Sequence, residues 1–166
     1  MIKRSIARNF SSLKKDVIEN INIRNKQNIP SEILNASQVE ELCNHLINKK
    51  YEKDKKFYID LFSNRISPGV DETSRIKASF LNKICNNEIN SPYLSKKDSI
   101  KLLGTMQGGY NIEPLINMLS CKDYGYLAYK ELSNTILMFD YFYDVEKLNK
   151  NGNKNARMLM ESWANA

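Results

Sequence analysis

An all-α fold built from short antiparallel helical hairpins is what the sequence predicts, and three observations predict it. Apolar residues recur every three or four positions along most of the chain, the helical period, with almost no strict alternation of the kind strands show. Side chains that cap helix starts, Ser37, Asp71, Ser95 and Asn111, stand just ahead of these runs. Pro68-Gly69, Gly108-Gly109 and Gly152 interrupt the chain between them. With 166 residues, 42% of them hydrophobic and 27% charged, the chain is the size of one globular domain with its own core.

The elements follow in order. Ile2, Ile6, Phe10, Leu13 and Val17 form an apolar stripe, and Lys3, Arg4, Arg8, Lys14 and Lys15 all precede the first acid, Asp16. This basic, amphipathic, acid-free stretch reads equally as an ordinary first helix and as a mitochondrial presequence, whose cleavage site Arg8-Asn9-Phe10-Ser11-Ser12 resembles. From Gln38 to Lys50, Val39, Leu42, Cys43, Leu46 and Ile47 lie on one helical face, introduced by a capping box of Ser37 and Glu40. Phe57, Tyr58, Leu61 and Phe62 continue in a second segment that Pro68-Gly69 stops. Asp71 caps a third, with Ile76, Phe80, Leu81 and Ile84 and with Glu72 in the first turn, where the helix dipole favours an acid.

Ser95 and Asp98 repeat the capping logic for a segment with Ile100, Leu103 and Met106, which Gly108-Gly109 ends. Asn111 caps the next, where Pro114 is tolerated in the first turn and Leu115, Ile116 and Leu119 supply the buried face. One long, enclosed helix is expected from about Tyr126 to Tyr143, carrying Leu127, Leu132, Ile136, Leu137, Phe139 and Phe142. After Gly152 a last helix presents Ala156, Leu159, Met160 and Trp163 on one face. Helices that pair at intervals of about 40 residues point to a HEAT-like stack, a fragment of an α-solenoid, although no repeat consensus is visible.

Several function classes fall away. The longest apolar run, Thr135 to Phe139, is far short of the ~20 residues that span a bilayer, so no membrane partner is expected. Cys43, Cys85 and Cys121 are scattered and odd in number, which argues for a reducing compartment and against a disulfide framework or a zinc pattern. His45 is the only histidine and has no nucleophile motif near it, so it reads as a surface or boundary residue and no catalytic residue is predicted. Asp140, Asp144 and Glu146 read as helix decoration, and the aromatic residues of Tyr124 to Tyr143 as core. A net charge of +6 favours polyanions without singling one out. Asparagine-rich stretches at Asn82 to Asn90 and Asn149 to Asn155 read as solvated loops.

The one stretch that looks specific is Gly104, Thr105, Met106, Gln107, Gly108, Gly109, Tyr110 and Asn111. Three glycines in six positions permit positive φ and close backbone approach, and the following helix start has free amides for an anion. A preceding strand and a G-x-x-x-x-G-K-S/T pattern are both missing, so the stretch reads first as a tight interhelical turn and second as a docking surface.

The segment Leu102 to Leu119, LLGTMQGGYNIEPLINML, closely resembles the signature of the N-terminal HEAT-like domain of bacterial-type aconitase B, the aconitate hydratase 2 / 2-methylisocitrate dehydratase family. The resemblance extends collinearly to Ser63-Asn64-Arg65, Pro68-Gly69-Val70-Asp71-Glu72, Lys77-Ala78, Phe80-Leu81 and Ser91-Pro92. It continues through Leu137-Met138-Phe139-Asp140, Phe142-Tyr143-Asp144-Val145-Glu146 and Ser162-Trp163-Ala164. It implies a domain over residues 13–166 preceded by a targeting extension over 1–12, which favours the mitochondrial matrix over the cytoplasm.

The resemblance implies membership of an enzyme that isomerises citrate to isocitrate through cis-aconitate on a [4Fe-4S] cluster. The cluster cysteines and substrate-binding arginines and serines of that family lie in a catalytic core absent from this sequence, so this chain alone is expected to hold no cofactor and to be inactive. Expected partners are the swivel and catalytic domains of such an aconitase, in cis or in trans, or a second copy in a homodimer, with Gly104 to Asn111 as the candidate interface. The alternative is a freestanding helical module that binds protein or RNA without enzyme activity.

Overall fold

The computed structural model describes residues 12–135 and 139–165, and among these every regular element is helical. Helix α1 spans Ser12–Lys26, α2 Ala36–Leu46, α3 Lys55–Asn64, α4 Glu72–Cys85 and α5 Lys96–Gly104. Helix α6 spans Ile112–Met118, α7 Gly125–Ser133, α8 Phe142–Lys150 and α9 Lys154–Ala164, with tighter 3-10 turns at Lys49–Asp54 and Phe139–Tyr141. Helix α1 packs on α2, α2 on α3, α4 on α5, α5 on α6, α6 on α7 and α8 on α9, and helices also pack on the next but one, α2 on α4, α4 on α6, α5 on α7 and α7 on α9. Successive hairpins thus stack, and one continuous core runs from Leu13 and Val17 of α1 to Leu159 of α9. No described helix is long and apolar enough to cross a membrane.

Local chemistry explains where most helices begin. Asp71 precedes α4 and accepts from the Ser74 amide at 3.0 Å, and the Thr73 and Ser74 hydroxyls donate to the same oxygen. The Ser67 and Thr73 hydroxyls, with the Ser74 amide, hold its carboxyl well below the usual carboxylate range. A carboxylate with a depressed pKa adds stability that is present above its unfolded value, 3.8, and is lost as pH falls through the folded one. Asp71→Ala should therefore lower stability by about 1 kcal/mol at pH 7. The deficit should shrink in urea melts at pH 2, and a deficit unchanged by acid would show that the charge plays no part.

Ser95 and Asp98 form the expected reciprocal box at the start of α5. At α2 the box is displaced. Asn35 Oδ1 accepts from the Gln38 amide and Gln38 Oε1 accepts from the Asn35 amide, each at 3.0 Å, while Ser37 only donates to Asn35. Leu34 decides the register, because its amide bonds to Arg65 O at 2.8 Å and holds the chain extended until residue 35. The helix also stops at Leu46 rather than Lys50, where the Asn48 side chain caps the following 3-10 turn.

The single long helix expected between Tyr126 and Tyr143 is two helices, α7 and α8. Ser133, Asn134 and Thr135 turn their side chains back onto the carbonyls of Lys130 and Glu131, competing with the helical ladder and ending α7. Nor is this the most enclosed part of the chain, since α8 fully buries only Val145. The central element is α4, whose buried face includes Ser74, Ala78, Leu81, Cys85 and, unusually, Lys77. Ile136 and Leu137 lie outside the described residues, as do 1–11 of the expected targeting extension.

Candidate functional site

Gly104 to Asn111 joins α5 to α6, and its backbone is committed almost residue by residue. Gly104 closes α5 against α7, where an added Cβ would stand 2.0 Å from Glu131 Oε2 and 2.8 Å from Glu131 Cβ. Thr105 caps the helix and its hydroxyl donates to Leu102 O at 2.7 Å. Met106 is buried, and its amide bonds to Leu103 O. The Gln107 amide leaves the segment and donates to Pro68 O at 2.8 Å. Gly108 lies so close to the other loop that a Cβ would fall 1.9 Å from Gly69 O, and Gly109 takes φ +90°. Tyr110 completes the joint by donating its hydroxyl to Val70 O at 3.1 Å.

Asn111 does not cap α6 through its side chain as expected. It is fully buried, and its Nδ2 donates to Leu103 O at 2.9 Å and Met106 O at 3.1 Å, bracing the last turn of α5 against the loop that follows it. Two carbonyl neighbours require the amide nitrogen on that side, which leaves Oδ1 buried without a partner. At the start of α6 the Ile112 amide donates to Gly109 O and the Leu115 amide to Asn111 O, and Glu113 stands in the first turn, in keeping with a tight turn rather than an anion site.

The structure thus divides the eight candidates. Gly104, Met106, Gly108, Gly109 and Asn111 build the turn, whereas Thr105, Gln107 and Tyr110 reach solvent. Beside them stand Pro68 and Val70, the latter 70% exposed, so the outward surface is a double loop drawn from residues 67–71 and 105–110. Single-sequence reading misses this pairing, although the Pro-Gly and Gly-Gly punctuation of both loops marks each as a turn.

The other singled-out groups fall elsewhere. His45 is not at the surface but buried on α2, its ring 4.0 Å from that of Tyr51 and 4.7 Å from that of Tyr58. Neither ring nitrogen has a hydrogen-bond partner, and Glu41 Oε1, also unpartnered, lies 3.6 Å from Nε2. Burial lowers the proton affinity of His45 and raises that of Glu41, both towards neutral forms. Asp140 and Asp144 are exposed, and Glu146 pairs with Lys150 at 2.9 Å. The aromatic residues around α7 and α8 are not all core: Tyr126, Phe142 and Tyr143 face outward.

A [4Fe-4S] cluster needs thiolates that converge. Cys43 and Cys85 are buried, and burial pushes their thiols up to about 12 and about 11. Among the described residues no three His, Cys, Asp or Glu side chains come together to hold a metal. The thiols of this chain do not fit such a cluster.

The double loop unites two stretches that carried the resemblance, Pro68 to Glu72 and Leu102 to Leu119. A profile of the Aconitate B N-terminal domain matches residues 16–166. The chain belongs to this family. Aconitate hydratase B of Escherichia coli K12 is 46% identical over 143 residues, 86% of this chain and 16% of that protein. The Pseudomonas aeruginosa protein of the same name is 40% identical over 141 residues, 85% of this chain and 16% of the relative. The Helicobacter pylori J99 protein is 38% identical over 155 residues, 92% and 17% respectively. This aconitase B N-terminal domain thus spans about one sixth of the length of the relatives it matches. The relatives are bacterial, so the expected matrix address draws no support from them.

Proposed function

We propose that this chain is the N-terminal accessory domain of an aconitate hydratase that converts citrate to isocitrate through cis-aconitate, supplying contacts and no reacting group. The observation that carries this reading is the match to the Aconitate B N-terminal domain over residues 16–166. The chemistry of the chain agrees with it. Cys43 and Cys85 are buried with their thiol pKa values raised, and the exposed specific feature of the chain is a double loop rather than a cleft of convergent polar groups. Thr105, Gln107, Tyr110 and Val70 present a small surface of mixed polarity, suited to contact with the catalytic portion of the enzyme. Unpaired thiols fit a reducing compartment such as the cytoplasm.

The test is a chimera in which this chain replaces the matching N-terminal part of the Escherichia coli relative. The chimera is expected to turn over citrate within an order of magnitude of the parent, and the isolated chain not at all. Loss of turnover in a folded, cluster-loaded chimera, or turnover by the isolated chain, would overturn the reading.

A further inference from the structure

The last hairpin of the stack, α8 with α9, shows an aromatic face to solvent. The rings of Phe142 and Trp163 lie 6.1 Å apart with their planes inclined at 33°, and Tyr143 meets Phe142 edge-on at 5.9 Å. Phe142 is 40% and Tyr143 76% exposed, and Trp163 is only partly covered. The inner side of the same hairpin is fully used, with Val145, Ala156 and Leu159 buried and α9 packed on α7.

Each layer of a helical stack is covered by the next, and a layer that ends a stack in water carries a polar outer face. This layer exposes charges at Lys147, Lys150, Arg157 and Glu161, but at the end of the hairpin where α8 begins and α9 finishes the surface is aromatic, and clustered exposed aromatic side chains are the composition of contact surfaces. The relatives extend well past the matched part, which is only 16–17% of their length. Helix α9 ends at Ala164, one residue after Trp163, so polypeptide continuing from it starts at this face. We infer that Phe142, Tyr143 and Trp163 form the seat on which the portion of aconitate hydratase B that follows this domain packs. The inference rests on the reading that the chain works within such an enzyme.

Hydroxyl-radical footprinting reads the three side chains directly, comparing the 166-residue chain with the full-length chimera described above. All three are expected to be oxidised several times more slowly in the chimera, and Phe142→Ser with Tyr143→Ser to restore the oxidation of Trp163 without unfolding the isolated chain. Equal oxidation in both proteins would overturn the seat, while citrate turnover by the same chimera would leave the domain reading standing. A chimera without turnover removes that reading separately. If the isolated chain loses reactivity at these residues as its concentration rises, the face closes on a second copy and the inference is wrong.

Discussion

Gly108→Val is expected to destabilise the domain by about 3 kcal/mol, because the new side chain enters space already held by backbone. Its Cβ would lie 1.9 Å from Gly69 O, 2.3 Å from Gly69 C and 2.9 Å from Val70 N, none of which can rotate away. Relief requires the two loops to part, which breaks the bonds from the Gln107 amide to Pro68 O and from the Tyr110 hydroxyl to Val70 O. For a domain of this size the loss corresponds to roughly 10 °C in Tm. Gly109→Ala supplies the contrast: φ there is +90° but nothing lies within 4 Å of a Cβ, so the penalty is conformational only, about 1 kcal/mol. Thermal melts showing Gly108→Val no worse than Gly109→Ala would mean that the loops are not in contact in solution.

The opposite sign is expected at Lys77. Only 2% of this residue is exposed, and among the described residues its ammonium has no carboxylate partner. It lies 5.5 Å above the Phe62 ring and 3.4 Å from Ser63 O, near the carbonyl end of α3, where partial negative charge gathers. These contacts do not restore what hydration supplied, and burial lowers its pKa from 10.5 to about 8. A shift of that size corresponds to about 3 kcal/mol of disfavoured charge at neutral pH. Lys77→Met, which keeps the unbranched stem, should stabilise the domain by about 2 kcal/mol at pH 7.

The pH dependence follows from the depressed value. Between about 8 and 10.5 the unfolded chain holds a proton at this site that the folded one has released, so the wild-type protein gains stability there as pH rises. The advantage of Lys77→Met should therefore be full below pH 8 and fade towards pH 10.5. Urea titrations of both proteins at pH 7 and pH 10 measure it, and an advantage constant with pH would show that the benefit is packing rather than charge.

What the sequence makes legible here is local chemistry. Asp71 and Ser95 are readable as caps because each cap and the backbone amide that donates to it lie three residues apart. The start of α2 is not, since Asn35 with Gln38 and Ser37 with Glu40 satisfy the same rule, and only the bond between Leu34 and Arg65, thirty-one positions apart, chooses between them. The site shows the same division. Glycines in the Gly104 to Asn111 stretch announce a tight turn, but the partner loop 40 positions earlier carries no mark that it will be met. Asn111 looks like a cap and is used as a buried brace, a choice set by the carbonyls of Leu103 and Met106 that face it. His45 is misplaced for a related reason, because the tyrosines that enclose it arrive from the next turn and the next helix.

The double loop also has a mechanical consequence. It pins the turn between α3 and α4 to the turn between α5 and α6 at one edge of the stack, through a backbone bond and a tyrosine hydroxyl. A stack riveted along one edge cannot open there without breaking bonds, so thermal flexing is confined to splaying at the opposite edge, a hinge with a fixed spine. The Gln107 amide, although it lies outside any helix, then exchanges with solvent only when the spine itself comes apart, on the slow timescale of cooperative unfolding rather than that of a surface loop.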